Sequence, residues 1–261
     1  MTECILATGV LETVPTGAWI IPDSPRSNLF LSLVIPTYNE RPNIRLLISE
    51  LVRVLDQALP QNYELIVVDD DSPDQTWAIA LELTVHYPQL RVLRRLGERG
   101  LASAVLRGWQ VARGQVLGVM DGDFQHPPET LLTLLAAMEH HHDLAIASRH
   151  LPNGGCQDWS LIRRILSRGA KWLSFSVLPQ LKQSVTDPLS GYFLIRRHTL
   201  LNIAFQPVGY KILLEILSRT TPQNICEVGY IFRKRHAGWS KVNAQHFWIY
   251  LKHLLRLTQV G

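Results

Sequence analysis

"YELIVVDDDSPDQTWAIALELTVHY", residues 63–87, holds the reading on which the fold turns. It opens on a Val/Ile-rich run short enough for a buried strand. An acidic turn containing a proline stops that run. Ser72 or Asp74 can then cap the helix that begins near Thr76. The unit is therefore strand, polar turn, helix, and the same unit recurs on either side. Upstream, "LSLVIP" (31–36) is an apolar run ended by proline. "RPNIRLLISELVRVLDQAL" (41–59) follows with apolar residues at helical spacing and Pro42 in its first turn. Downstream, "LRVL" (90–93), an Ala/Leu-rich helix closed by Gly114, "QVLGVM" (115–120), "PPETLLTLLAAMEHHH" (127–142) and "DLAIASR" (143–149) continue the alternation.

Near-continuous apolar strands alternating with helices imply an α/β fold, a mostly parallel central sheet with helices on both faces. Ligands in such sheets sit at the carboxyl ends of the strands. Those ends carry "PTYNE" (36–40), "DDDSPD" (69–74) and "DGDFQ" (121–125). The second half is less regular. "SLIRRILSRGAKWLSFSVLP" (160–179) and "AQHFWIYLKHLLRL" (244–257) read as basic amphipathic helices that either cover the core or lie in a membrane interface. Between them come a strand at 190–197, a helix at 210–219, a strand at 224–235 and a loop, "HAGWSK" (236–241). The division expected is an irregular lead-in over 1–28, one α/β domain over 29–242, and a closing helix over 243–261 suited to membrane docking.

Composition narrows the function classes. Hydrophobic residues make up 46% of the 261 and charged residues 18%, which fits a folded globular chain. An excess of +4 is too small and scattered to argue for nucleic acid. No apolar run approaches the ~18 residues of a spanning helix. Glu3 stands where a signal peptide wants basic residues. Cys4, Cys156 and Cys226 are isolated, so neither a disulfide framework nor a zinc knuckle is indicated, and a reducing cytoplasm fits.

Asp121 and Asp123 flank a glycine at a strand end, an arrangement that can hold a hard divalent cation, with Gln125 adding a neutral oxygen. Alone, Asp-Gly-Asp reads first as a β-turn whose carboxylates cap backbone groups. Three adjacent histidines in "EHHHD" (139–143) could suggest zinc, but on a helix they point in different directions, which argues against a metal site. Asp187 either faces a substrate or caps the turn before Pro188. Lys211 and Glu215, four apart, predict a surface ion pair.

Company decides for the acids at 121 and 123. "IPTYNE", "VVDDDSPDQT", "RGLASAVLRG" and "MDGDFQHPPE", in that order, resemble the family 2 glycosyltransferases, nucleotide-sugar enzymes of the GT-A (Rossmann-like) fold. "ASRH" (147–150), "RRILSRGAKWL" (163–173), "TDPLSGYFLIRR" (186–197), "GYKILLEIL" (209–217) and "RHAGWSK" (235–241) resemble the polyprenyl-phosphate subgroup, which includes the dolichol-phosphate mannosyltransferases. The resemblance implies that Pro36, Tyr38 and Glu40 border the nucleotide and that Asp69 and Asp70 contact base and ribose. It implies Mg²⁺ or Mn²⁺ on Asp121, Asp123 and Gln125, bridging to the donor diphosphate. Arg149, Arg163 and Ser167 match positions that receive the lipid phosphate, and Arg235, Ser240 and Lys241 match a late basic loop closing over the donor. One departure is Trp239, where the family usually has an acid.

The chemistry so implied is transfer of a hexose from GDP-mannose, or second from UDP-glucose, to a polyprenyl phosphate at the cytoplasmic membrane face. A phosphate monoester, with a second pKa of ~6, is already ionised near neutrality and needs no general base. Direct attack gives a single displacement with inversion, in which Asp121, Asp123, Arg149 and Arg163 act by charge and position. The rivals are a family 2 enzyme with a glycan acceptor and a non-catalytic, receiver-like nucleotide sensor suggested by the acids of "VVDDDSPD".

Overall fold

Strand and helix alternate through the first half of the chain as the apolar runs dictate. The computed structural model describes residues 11–23, 29–220, 222–238 and 244–258. In it β1 (Leu11–Glu12), β2 (Leu31–Thr37), α1 (Arg41–Ala58), β3 (Tyr63–Asp69), α2 (Thr76–Leu83), β4 (Leu90–Arg94), α3 (Leu101–Val111), β5 (Val116–Val119), α4 (Thr130–Glu139) and β6 (Leu144–Ser148) lead into a more irregular half. That half holds β7 (Gly155–Cys156), α5 (Leu161–Val177), β8 (Phe193–Arg196), α6 (Ile212–Arg219), β9 (Ile225–Gly229), β10 (Ile231–Phe232) and α7 (Ala244–Leu257).

The large sheet runs β1-β4-β3-β2-β5-β8-β6-β9, and β7 pairs with β10 apart from it. All its pairs are parallel except those of β8, which lies antiparallel between β5 and β6. Successive side chains of the central strands face opposite ways, so each strand feeds two cores. Leu33, Ile35, Leu65 and Val67 join residues of α1, α2 and α4 on one face. Val34, Ile66 and Val68 join Trp109 of α3 and residues of α6 and α7 on the other. Burying each such side chain contributes about 1.5–3 kcal/mol, which is why these runs carry almost no polar residue. Pro36 is tolerated in β2 because its missing N–H falls on the β5 side, where pairing has already stopped at Val34. In β5, a Cβ on Gly118 would sit 2.6 Å from a methyl of Leu194 and 2.9 Å from one of Leu33, so these two side chains fill the space that glycine leaves.

Four expectations change or are decided. Within the described part of the lead-in, β1 extends the sheet beside β4, where Arg91 pairs with both Glu12 and Glu64. The strand expected over 224–235 is two: β9 pairs with β6, and after Gly229 the chain crosses to the small sheet as β10. Of the two capping candidates it is Asp74 that acts, accepting from Thr76 N at 3.0 Å and from Arg41 N at 3.0 Å, which ties the starts of α2 and α1 together. The closing helix is not separate from the core, since Tyr250, Leu254 and Leu257 of α7 are buried in it.

Candidate active site

Strand order reverses at β2, which has β3 on one side and β5 on the other. The loops after β2 and β5 therefore part, and a crevice opens between them. Four residues of this rim, Asn39, Asp71, Gln75 and Phe124, have φ between 53° and 63° without being glycine. Such strain persists where surrounding contacts over-determine the backbone, and it gathers at functional sites.

The loop after β5 carries the expected acids. A Cβ on Gly122 would lie 3.2 Å from Thr37, so this loop packs directly on the loop after β2. Asp123 is buried, and its Oδ1 accepts from Gln125 N at 3.0 Å, as in the β-turn reading. Its Oδ2, however, faces Arg235 Nη2 at 2.7 Å, and the same guanidinium reaches Glu40 at 3.3 Å. Burial and the charge of Asp121 push the Asp123 carboxyl up to about 6, with Arg235 opposing them. Burial also pushes Asp121 up, but His126 together with Lys211 and Arg235 outweighs it and holds that carboxyl below the usual range. Two carboxylates two residues apart at one strand end fit a divalent ion. An ion of the Mg²⁺ type binds through one or two carboxylates and completes its shell from substrate phosphates and water. Asp121 and Asp123 meet that requirement, with the side-chain oxygen of Gln125, whose amide nitrogen is committed to the Arg233 carbonyl at 3.2 Å. Among the described residues no third acid, His or Cys joins them.

The acids expected to meet base and ribose point inward. Asp69 accepts from Thr37 Oγ1, Ser72 N and Ser72 Oγ at 2.7–2.8 Å. Asp70 takes Arg95 Nε at 2.7 Å and Gly100 N at 2.8 Å, and Arg95 is wholly buried. These bonds shape the crevice wall and occupy both carboxylates. Pro36 lies at the end of β2, and the Arg99 guanidinium stands 4.8 Å from the Tyr38 ring.

On the far side of β8 the loop after β6 carries Arg149. Its fork is taken by Asp187, with Nε at 2.7 Å and Nη2 at 2.8 Å. Burial acts against both charges, yet the pair raises the Arg149 pKa and holds Asp187 at about 2. Asp187 therefore orients Arg149, and the bidentate grip expected for phosphate goes to this carboxylate. Arg149 and Ser167 line one cavity of about 320 Å³, together with His150, Trp159, Arg164 and Arg168. Arg163 is not among its lining residues; its guanidinium stacks 4.3 Å from the Trp159 ring, the first turn of α5 being capped by Ser160. Ser240, Lys241 and Trp239 lie outside the described residues.

Two further residues meet these charged groups. Lys211 forms no pair with Glu215, which is fully buried and ion-paired with Arg219 at 3.0 Å. Instead its Nζ donates to the Leu189 carbonyl at 3.0 Å, within the field of Asp187 and Asp121. Burial and Arg149 push its pKa down to about 8. His126, one residue beyond Gln125, is buried against Asp121. Its place in "DGDFQHPPE" was the one available signal.

Residues 32–203 match Glycosyl transferase family 2, and the chain belongs to that family. Within it, the dolichol-phosphate mannosyltransferase of Pyrococcus furiosus is 42% identical over 230 residues, 88% of this chain and 64% of that relative. The enzyme of the same name from Saccharomyces cerevisiae is 34% identical over 235 residues, 87% of this chain and 86% of that one. Polyprenol monophosphomannose synthase of Mycolicibacterium smegmatis is 35% identical over 239 residues, 88% of this chain and 87% of the relative. Among solved structures, glucosyl-3-phosphoglycerate synthase of Mycobacterium tuberculosis, crystallised with Mn²⁺, UDP and glucosyl-3-phosphoglycerate, superposes with a TM-score of 0.66 at 19% identity, covering 97% of this chain and 89% of that one. That likeness is one of fold, and it agrees with the GT-A expectation.

Proposed function

We propose that this glycosyltransferase moves a mannosyl group from GDP-mannose to a polyprenyl phosphate of dolichyl type. One observation carries the reading: the acid pair after β5 and the arginine-lined cavity after β6 open on the same rim, separated only by β8. The names of the relatives point the same way. This chain spans 64% of the length of the Pyrococcus relative.

An acceptor phosphate oxygen bonds to the anomeric carbon as the bond from that carbon to the donor diphosphate breaks. The electron pair leaves with the nucleoside diphosphate, and no proton has to move. The sugar inverts in this single displacement. Arg149, oriented by Asp187, and Arg163, stacked on Trp159, present positive charge to the acceptor phosphate. Arg235 stands beside Asp123, where a diphosphate would need a cation. Mg²⁺ or Mn²⁺ held by Asp121, Asp123 and Gln125 would supply further charge for the leaving group.

The acceptor's tail gives the exposed apolar residues of α5 a use. Leu161, Ile162, Leu166 and Trp172 lie in solvent on the helix whose Arg164, Ser167 and Arg168 line the cavity. Trp248 of α7 is 65% exposed. Among the described residues no helix is long and apolar enough to cross a membrane. These faces suit peripheral contact with a bilayer interface, the lipid head rising into the cavity.

The test incubates the protein with polyprenyl phosphate and labelled GDP-mannose or UDP-glucose, with and without chelator, and extracts the lipid. Label in the lipid with inverted configuration from GDP-mannose, lost with chelator, is expected. Label that reaches only a glycan, or a product of retained configuration, would overturn the reading.

A further inference from the structure

His126 follows the candidate cation ligands in sequence, yet it is 2% exposed and cannot meet a substrate. Its ring is boxed by Tyr192, Phe232 and Tyr230, with centroids at 4.9, 5.3 and 5.6 Å. Each ring nitrogen has one partner. Nε2 lies 3.3 Å from Asp121 Oδ2, and Nδ1 lies 3.0 Å from the Tyr230 hydroxyl. An ionised carboxylate can only accept, so the neutral ring carries its proton on Nε2, and Nδ1 accepts from Tyr230 O–H. Burial keeps Tyr230 protonated, which suits the donor role. The open side of the contact is closed by Gly191, where a Cβ would come within 3.6 Å of Nε2 and 3.7 Å of Asp121 Oδ2.

Tyr230 also belongs to the acceptor side. Its backbone N donates to the Ser148 carbonyl at 3.1 Å, next to Arg149, and its carbonyl accepts from Gly155 N at 3.0 Å. The bonds run from the backbone that carries Arg149, through the Tyr230 hydroxyl and the His126 ring, to one oxygen of Asp121. The other oxygen is left for an ion.

We propose that His126 is a positioning residue that fixes the carboxylate of Asp121, so that cation affinity depends on a buried Tyr230–His126–Asp121 chain. This rests on the reading that Asp121 holds the divalent ion. Outer partners of metal ligands typically govern affinity by about 10–100-fold.

The experiment measures Mn²⁺ binding to the full chain with GDP present, by calorimetry and by the paramagnetic resonance of free Mn²⁺. His126→Phe keeps an aromatic ring and removes both bonds, and it should weaken Mn²⁺ at least tenfold. His126→Gln, which places an N–H near the position of Nε2, should recover most of that loss, and Tyr230→Phe should weaken binding by less than His126→Phe. Asp121→Asn separates the two ideas. If it leaves Mn²⁺ binding intact, the cation reading itself fails. If it abolishes binding while His126→Phe, folded by near-ultraviolet circular dichroism, stays within twofold of the parent, the positioning role alone is wrong. Should His126→Phe not fold, His126→Asn, too short to reach Asp121, takes its place with the same thresholds.

Discussion

Replacing Asp187 by asparagine tests whether a buried ion pair aims Arg149, the residue proposed to meet the acceptor phosphate. Asp187 is wholly buried and accepts three bonds from Arg149: backbone N at 3.1 Å, Nε at 2.7 Å and Nη2 at 2.8 Å. Burial alone would raise its pKa, but Arg149 more than offsets that and holds it at about 2, against 3.8 for a free side chain. A carboxyl lowered in this way stabilises the fold in full above its unfolded value, and the contribution disappears as pH falls toward about 2. A gap of nearly two units corresponds to about 2–3 kcal/mol at neutral pH, roughly half of which remains at pH 3. Asparagine fits the space but turns one of the two acceptors into a donor facing the guanidinium, and it leaves that charge buried without a counter-ion. Denaturant unfolding at pH 7 should therefore show a loss of about 2–3 kcal/mol that narrows by about half at pH 3. With Arg149 no longer aimed, the KM for polyprenyl phosphate should rise about tenfold while that for the nucleotide sugar holds within about twofold. A stability loss equal at pH 7 and pH 3 would show that charge is not the cause, and an unchanged KM for the lipid would show that Arg149 needs no aiming.

Asp123→Ala should abolish turnover and Mn²⁺ binding without lowering the melting temperature by more than a few degrees, because it removes no core volume; kinetics and a thermal scan check both halves. The Lys211 ammonium, pushed down to about 8 by burial and Arg149, is charged below that pH and neutral above it. A pH–rate profile should fall through about 8, and Lys211→Arg, which stays charged, should flatten that limb. Gly114→Ala would place a Cβ 2.6 Å from Ser32 N and 2.7 Å from the Leu31 carbonyl carbon, backbone that cannot yield, so equilibrium unfolding should show a loss of about 2–3 kcal/mol or more. Trp172→Ser with Trp248→Ser, at positions 70% and 65% exposed, should cut co-sedimentation with lipid vesicles about tenfold and leave the melting temperature unmoved.

The strands legible in the sequence are those whose surroundings leave them no choice. β2, β3 and β5 are buried on both faces, so their residues are apolar almost without a break, and proline, aspartate and methionine–aspartate mark their ends. Direction is not written that way. "FLIR" reads the same in a parallel or an antiparallel strand, and the reversal of β8 depends on the long excursion before it. β1, two residues long, gives no periodic signal at all. At the site, the acids at 121 and 123 were legible because the loop that holds them is continuous. The partners that tune them are distant: Arg235 reaches Asp123, Asp187 occupies Arg149 across 38 positions, and Tyr230 meets His126 across 104. Helical spacing paired Lys211 with Glu215, but Lys211 precedes the first residue of α6, Ile212, and α6 buries Glu215 beside Arg219 instead.

The antiparallel course of β8 has a further consequence. The chain leaves the sheet at Ser148 and re-enters it at Phe193, and those two points belong to hydrogen-bonded neighbours, with Ile146 opposite Phe193. The intervening stretch, which includes α5 and most of the cavity wall, thus hangs from two adjacent posts about 5 Å apart. An appendage with abutting ends can grow, shrink or be exchanged at little cost in closure entropy, and the strands beneath keep their register. The architecture thereby lets the cavity wall vary in length and sequence while the strands that carry the acids at 121 and 123 stay in place.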